Sequence, residues 1–187
     1  MMIYIALLRG INVGGKNKVK MADLKKMMEQ MDGISRVQTY IQSGNVLLEC
    51  DEEHGSLRQR MERELENTFG FAITVVLRTL DELREVAAHC PFTEEEIAEA
   101  DAASDAESLY VAFLLEEPLP EKLEKLKPYQ TADDKYHAAG REIYLLFRNS
   151  VRDSKLAAHL TKLAVPTTVR NWKTVSKLLA LGLAMES

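Results

Sequence analysis

The stretch Arg9-Gly10-Ile11-Asn12-Val13-Gly14-Gly15-Lys16-Asn17-Lys18-Val19-Lys20 sets three glycines and three lysines behind an arginine. Glycine accepts positive φ and lets backbone amides approach a ligand, and ammonium groups attract anions, so this stretch is equipped to hold a phosphate. Lys16 and Lys18 are its candidate phosphate ligands, with Arg9 and Asn12 orienting the ligand through hydrogen bonds. Gly10 to Lys16 also matches G-x-x-x-x-G-K, the phosphate loop of nucleotide hydrolases. The match fails at Asn17, which stands where a Ser or Thr hydroxyl would hold magnesium. Lys18-Val19-Lys20 further delays the helix whose N-terminus should face the phosphates.

A second segment, Tyr40-Ile41-Gln42-Ser43-Gly44-Asn45, offers Gln42, Ser43 and Asn45 as groups that donate and accept hydrogen bonds, which suits a small polar ligand or a base edge. Ser-Gly-Asn is equally ordinary turn chemistry, and a Ser nucleophile needs a base beside it. The third segment, Thr167-Thr168-Val169-Arg170-Asn171-Trp172-Lys173, holds the only tryptophan. Trp172 can stack a base while Arg170 meets phosphate, or it can plug the junction between two halves of the chain while Asn171 caps a helix. His54, His89, His137 and His159 show no metal-ligand spacing among themselves or with Cys50 and Cys90, so no metal site is expected. No cofactor and no catalytic base are identified.

These segments need elements to position them. Ile3 to Leu8 is apolar throughout and reads as a buried strand, and Met21, Leu24, Met27, Met28 and Met31 form a helical stripe. Val37 to Ile41 and Val46 to Leu48, joined by Ser43-Gly44-Asn45, predict a hairpin. Leu57, Met61, Leu65 and Phe69 predict a helix ending at Gly70, before a strand over Ile73 to Leu77. Short acidic helices over Asp81 to Ala88 and Thr93 to Ala100 connect to a second pass of the same order. That pass comprises a strand over Leu109 to Leu115, a helix over Glu121 to Leu126, and a hairpin from Tyr136 to Phe147 turning at Ala139-Gly140. A helix over Ser154 to Leu163 and an edge strand over Val165 to Arg170 complete it. A last helix is expected to bury Val175, Leu178, Leu179 and Leu183.

The order βαββαβ, met twice, predicts an α+β protein of two tandem ferredoxin-like subdomains with an extra C-terminal helix. The expected divisions are residues 1–80, an acidic connector over 81–107, and 108–187. In that topology the first two strands are parallel, so the lysine loop and the Gln42 to Asn45 turn emerge at one end of the sheet.

Composition sets the wider bounds. With 46% hydrophobic and 28% charged residues the 187-residue chain has ordinary globular usage, and no apolar run reaches the length of a membrane span. With no such run no membrane is expected, and two cysteines outside any C-x-x-C pair suit a reducing cytoplasm. The net charge of −5 is unevenly spread: residues 1–48 carry 7 basic and 3 acidic side chains, residues 49–121 carry 5 and 20, and the remainder 12 and 6. A local basic region attracts phosphates even in an acidic protein, because salt screens surface charges beyond about 8–10 Å.

Three ordered motifs, A-L-L-R-G-I-N-V-G-G-K-N-K-V from Ala6, T-Y-I-Q-S-G-N-V from Thr39 and V-R-N-W-K-T-V from Val169, resemble the domain of unknown function 1697 family over essentially the whole chain. The resemblance implies a two-part α+β fold in small bacterial cytoplasmic proteins, and it brings no catalytic residues. The sequence therefore leaves three expectations open. The first is binding of a phosphate-bearing small molecule or nucleic acid at the Gly/Lys loop. The others are an enzyme acting on a phosphorylated small molecule, with Asp23, Glu29 or an acidic residue from the other half as its base, and a protein-interaction module using an open sheet edge or face.

Overall fold

An apolar run such as Ile3 to Leu8 suits a strand buried on both faces or central in its sheet. In the computed structural model, which describes all 187 residues, this segment lies in β1 (Met2–Leu8) with a neighbour on each side. The sheet is completed by β2 (Ser35–Tyr40), β3 (Asn45–Cys50) and β4 (Val75–Thr79) in the order β2-β3-β1-β4, each adjacent pair antiparallel. α1 (Met21–Glu29) and α2 (His54–Phe69) supply the two crossovers. Both β1 and β2 run antiparallel to β3, so they are parallel to each other. The chain leaves both strands, and enters β4, at the same end of the sheet.

The helical stripes read from the sequence form the core on one sheet face. Leu24, Met27 and Met28 of α1 and Leu57, Met61 and Leu65 of α2 are buried with Ala6, Leu8, Leu48 and Leu77. A fully buried Leu or Met side chain contributes roughly 1.5–3 kcal/mol by leaving water. Glu53 caps α2 by accepting from the Gly55 and Ser56 amides, which holds its carboxyl below the usual range, and Gly70 ends the helix. The edge strand β4 is closed by side chains. Val75 N donates to Glu62 Oε2 at 2.9 Å, Thr79 N donates to Glu82 Oε1 at 3.0 Å, and His54 Nε2 meets the Leu77 carbonyl at 2.9 Å.

After α3 (Leu80–Ala88) and α4 (Glu94–Ala103) the order repeats as β5 (Leu109–Leu114), α5 (Pro120–Glu124), β6 (Asp134–Ala139), β7 (Glu142–Phe147), α6 (Lys155–Ala158) and β8 (Thr167–Asn171). The second sheet has the order β6-β7-β5-β8, again antiparallel throughout, and α7 (Trp172–Met185) ends the chain. The protein is thus a mixed α+β fold with two four-stranded antiparallel sheets and seven α-helices. Strand β8 lies at a sheet edge, where the Pro166 beside it is tolerated.

Two compact units emerge: Met1–Glu85 with Ser176–Ser187, and Val86–Val175. The boundaries differ from a 1–80, 81–107 and 108–187 partition, because the connector is divided at Glu85 and the end of α7 belongs to the first unit. Three local expectations are corrected. The helix expected over Ser154 to Leu163 is α6 followed by a 3-10 turn at Leu160–Leu163. At the break, the His159 ring stacks on Tyr129 with centroids 3.8 Å apart and its Nδ1 lies 2.6 Å from the Lys155 carbonyl. The second hairpin turns at Gly140-Arg141, pairing Ala139 with Glu142. On α7 the buried positions are Thr174, Val175, Leu178, Gly182 and Met185, and Leu183 is exposed, one position off that face.

Candidate functional site

The lysine loop folds on itself. Val13 and Lys16 form an isolated antiparallel bridge around Gly14 and Gly15, whose φ angles of 57° and 74° are those of a hairpin turn that demands positive φ at both central residues. Lys16 N donates to the Val13 carbonyl at 3.0 Å, and Asn12 N donates to the Asn17 carbonyl at 3.0 Å. Asn12 and Asn17 are themselves left-handed, at 54° and 52°, a conformation asparagine tolerates better than most side chains. The Asn17 amide donates to the Gly10 carbonyl at 3.1 Å. The helix after the loop starts only at Met21, with Lys20 as an N-cap that makes no side-chain capping bond. A miniature hairpin therefore occupies the place where a nucleotide hydrolase would wrap its phosphate loop.

Asn12 ties this loop to the neighbouring turn. Its Nδ2 donates to the Val19 carbonyl at 2.9 Å and to the Gln42 carbonyl at 2.8 Å, while its Oδ1 accepts from Val19 N at 2.8 Å. The Leu8 amide donates to the Gly44 carbonyl at 2.9 Å, and Arg9 N donates to the Thr74 carbonyl at 3.0 Å. Gly44, at φ 88°, leaves room for Ile11: a Cβ there would lie 2.6 Å from Ile11 Cδ1. Three connections, 9–20, 41–44 and 70–74, are thereby joined at one end of the first sheet.

The candidate residues have different fates there. Arg9, Lys16, Lys18 and Gln42 are exposed, Ser43 is half-buried, and Asn12 is half-buried with its amide engaged as described. Asn45 is the first residue of β3 rather than a turn residue, is 0% exposed, and donates to the Tyr40 carbonyl at 2.8 Å and Ser43 Oγ at 3.0 Å. Its amide holds the hairpin shut, a role that the Ser-Gly-Asn spacing hinted at. Sequence reading overlooked the 70–74 connection, which carries no charged residue and so gave no signal.

The electrostatics of this end follow from its composition. Across the three connections the charged residues are Arg9, Lys16, Lys18 and Lys20, all exposed, with no carboxylate; the first acidic residue of the chain, Asp23, lies in the first turn of α1.

Arg170 and Trp172 belong to the second unit. Arg170 is 6% exposed, donates to Thr168 Oγ1 at 2.6 Å and to the Val169 carbonyl at 3.1 Å, and burial pulls its pKa down to about 10. Trp172, half-buried at the start of α7, packs within its own unit against Ala100, Leu109 and Leu146, and Asn171 Oδ1 caps the helix by accepting from Thr174 N at 2.9 Å. A buried arginine missed by sequence reading, Arg78 on β4, is 1% exposed and donates to the Leu77 carbonyl at 3.0 Å.

No helix is long and apolar enough to cross a membrane. Among curated proteins none matches the chain. Among solved structures, the conserved bacterial protein SP0830 from Streptococcus pneumoniae is similar at 26% identity and a TM-score of 0.72, over 97% of this chain and 98% of that one. Residues 1–144 match the family described as protein of unknown function (DUF1697), a span that holds the first two motifs and ends before V-R-N-W-K-T-V. The chain belongs to the DUF1697 family.

Proposed function

We propose that the protein binds a phosphate-bearing ligand, a nucleotide or short nucleic acid, at the end of the first sheet formed by the 9–20 loop and the 41–44 turn. The observation that carries this reading is the charge there: four exposed cations and no carboxylate in three joined connections of a chain whose net charge is −5. Lys16 and Lys18 supply the charge, and Arg9 and Gln42 supply directional hydrogen bonds. Asn12 and Asn45 keep the two loops in place, which lowers the cost of ordering them on binding. Both units are read as ferredoxin-like, a reading supported by the βαββαβ order and the strand order β2-β3-β1-β4. The free thiols of Cys50 and Cys90 favour a reducing, cytoplasmic setting, and the likeness to a conserved bacterial protein favours a bacterial one.

The test is amide chemical-shift mapping of the isotope-labelled protein titrated with pyrophosphate and with nucleoside mono- and triphosphates. Saturable shifts confined to 9–20 and 41–44, abolished in Lys16→Ala/Lys18→Ala, are expected. Shifts that map elsewhere, or survive the double substitution, would assign the anion to another surface.

A further inference from the structure

Aliphatic surface lies among these cations. Val13 is 65% exposed and Ile41 is 46% exposed, two of the few large apolar side chains that face water. Each is next in the chain to one of the two residues joined by the 2.8 Å hydrogen bond between the loops: Val13 follows Asn12 and Ile41 precedes Gln42. Exposed aliphatic side chains beside such cations offer a surface on which another molecule's apolar faces can rest. Around them Arg9, Lys16, Lys18 and Lys20 are distributed over a 12-residue loop instead of converging on one backbone nest, since the Gly14-Gly15 amides belong to a hairpin turn.

We infer that the occupant of this edge is a single-stranded nucleic acid, whose successive phosphates meet the separate cations while sugar and base faces rest on Val13 and Ile41. This rests on the phosphate-binding reading above and extends it from one phosphate to a strand. A duplex keeps its bases stacked inside and offers those two side chains little, whereas an unstacked strand presents apolar base and sugar faces between its charges. The exposed Gln42 amide, able to donate and accept, suits a base edge and has no counterpart in a lipid tail.

The experiment measures binding of the full chain to a short oligothymidylate across a salt series, beside thymidine monophosphate, a duplex of equal length, and vesicles of phosphatidylcholine with phosphatidylserine. Neutralising four phosphates on a single strand gives a slope of log K against log salt of about −2.8, at about −0.7 for each. Lys16→Ala/Lys18→Ala should bring that slope to about −1.4. Val13→Ser/Ile41→Ser should weaken binding about tenfold, the order of one lost base contact, without changing the slope. All four side chains are exposed, so unchanged melting temperatures are expected and verify that the variants fold. Mononucleotide binding as tight as the oligomer's would overturn the strand and leave the phosphate reading standing. Equal or tighter duplex binding, or binding to anionic vesicles alone, would also overturn it, and no binding to any phosphate probe would overturn both.

Discussion

The two units share one element order, one strand order and the same register around their central strands, yet they differ at one end of the sheet. Ala6 faces Val46 and Leu77 across its neighbours, and Ala112 faces Ile143 and Val169 in the same arrangement. One step before each alanine, Ile5 is paired with Arg78 and Val111 with Arg170, both arginines buried and both donating to the carbonyl of the residue before them. After these matched strands the units diverge. The first has a 12-residue cationic loop beside a four-residue turn, whereas β5 is followed by Leu115-Glu116-Glu117-Pro118-Leu119 and the second hairpin turns on Gly140-Arg141. A common framework with one decorated end and one trimmed, acidic end teaches that the strand order does not require a loop of this length, although Ile11 and Val19 of the β1 loop are buried in the first core. Loops that vary on a shared framework are where proteins commonly carry function, and Asn12 and Asn45 hold this one in shape.

The largest effect that separates the two ends is expected at the first hairpin. Gly44→Ala combines positive φ with a Cβ 2.6 Å from Ile11 Cδ1, and should cost about 3 kcal/mol in chemical denaturation. Adding a methyl to Gly140, where a Cβ meets nothing within 4 Å, bears only the backbone strain of φ 59° and should cost about 1 kcal/mol. Equal losses would mean that the close packing of the first turn contributes nothing.

Next comes the staple. Asn12→Ala removes three hydrogen bonds and should cost about 2 kcal/mol, with faster amide exchange at Val19 as its local signature. Unaltered exchange there would break the view that Asn12 organises the loop.

A smaller effect belongs to the second unit. Tyr144 donates to the Val86 carbonyl at 2.7 Å, and burial, helped by Glu142, pushes its pKa up to about 12 from 10.0. Tyr144→Phe should cost about 1 kcal/mol at neutral pH. Because the unfolded tyrosine ionises first, the wild-type protein keeps its full stability below pH 10 and loses on the order of 2 kcal/mol as pH rises through 12. A difference between wild type and variant that stays constant across that window would refute the burial effect.

Least of all, Glu116→Lys/Glu117→Lys should change stability by no more than about 0.5 kcal/mol, since both residues are exposed. Cations grafted onto the short loop should not create oligothymidylate binding. A gain of binding there would show that charge alone, without the hairpin loop and its asparagine staple, makes the site.

Much of this was legible in the chain. Met21, Leu24, Met27 and Met28 announce the buried stripe of α1 by spacing alone, and Gly70 announces the end of α2, because helix periodicity and left-handed caps are local properties. Asn45 was misread for the converse reason. Ser-Gly-Asn is turn chemistry locally, but register with β1 drew Asn45 into β3 opposite Leu7, where its amide is sealed from water. Leu183 failed similarly: a helix of leucines permits several apolar faces, and which one is buried depends on what packs against it.

The sequence by itself determined the element order, its repetition, the cationic loop and membership of the DUF1697 family, since these rest on periodicity, composition and motif, all properties of neighbouring residues. Only the tertiary structure decided that the 9–20, 41–44 and 70–74 connections share hydrogen bonds, that Asn12 and Asn45 are structural while Lys16, Lys18 and Gln42 face water, and that Arg78 and Arg170 are buried at matching positions. Those outcomes depend on strand pairing between residues far apart in the chain, where a shift of one residue would reverse every side chain's face.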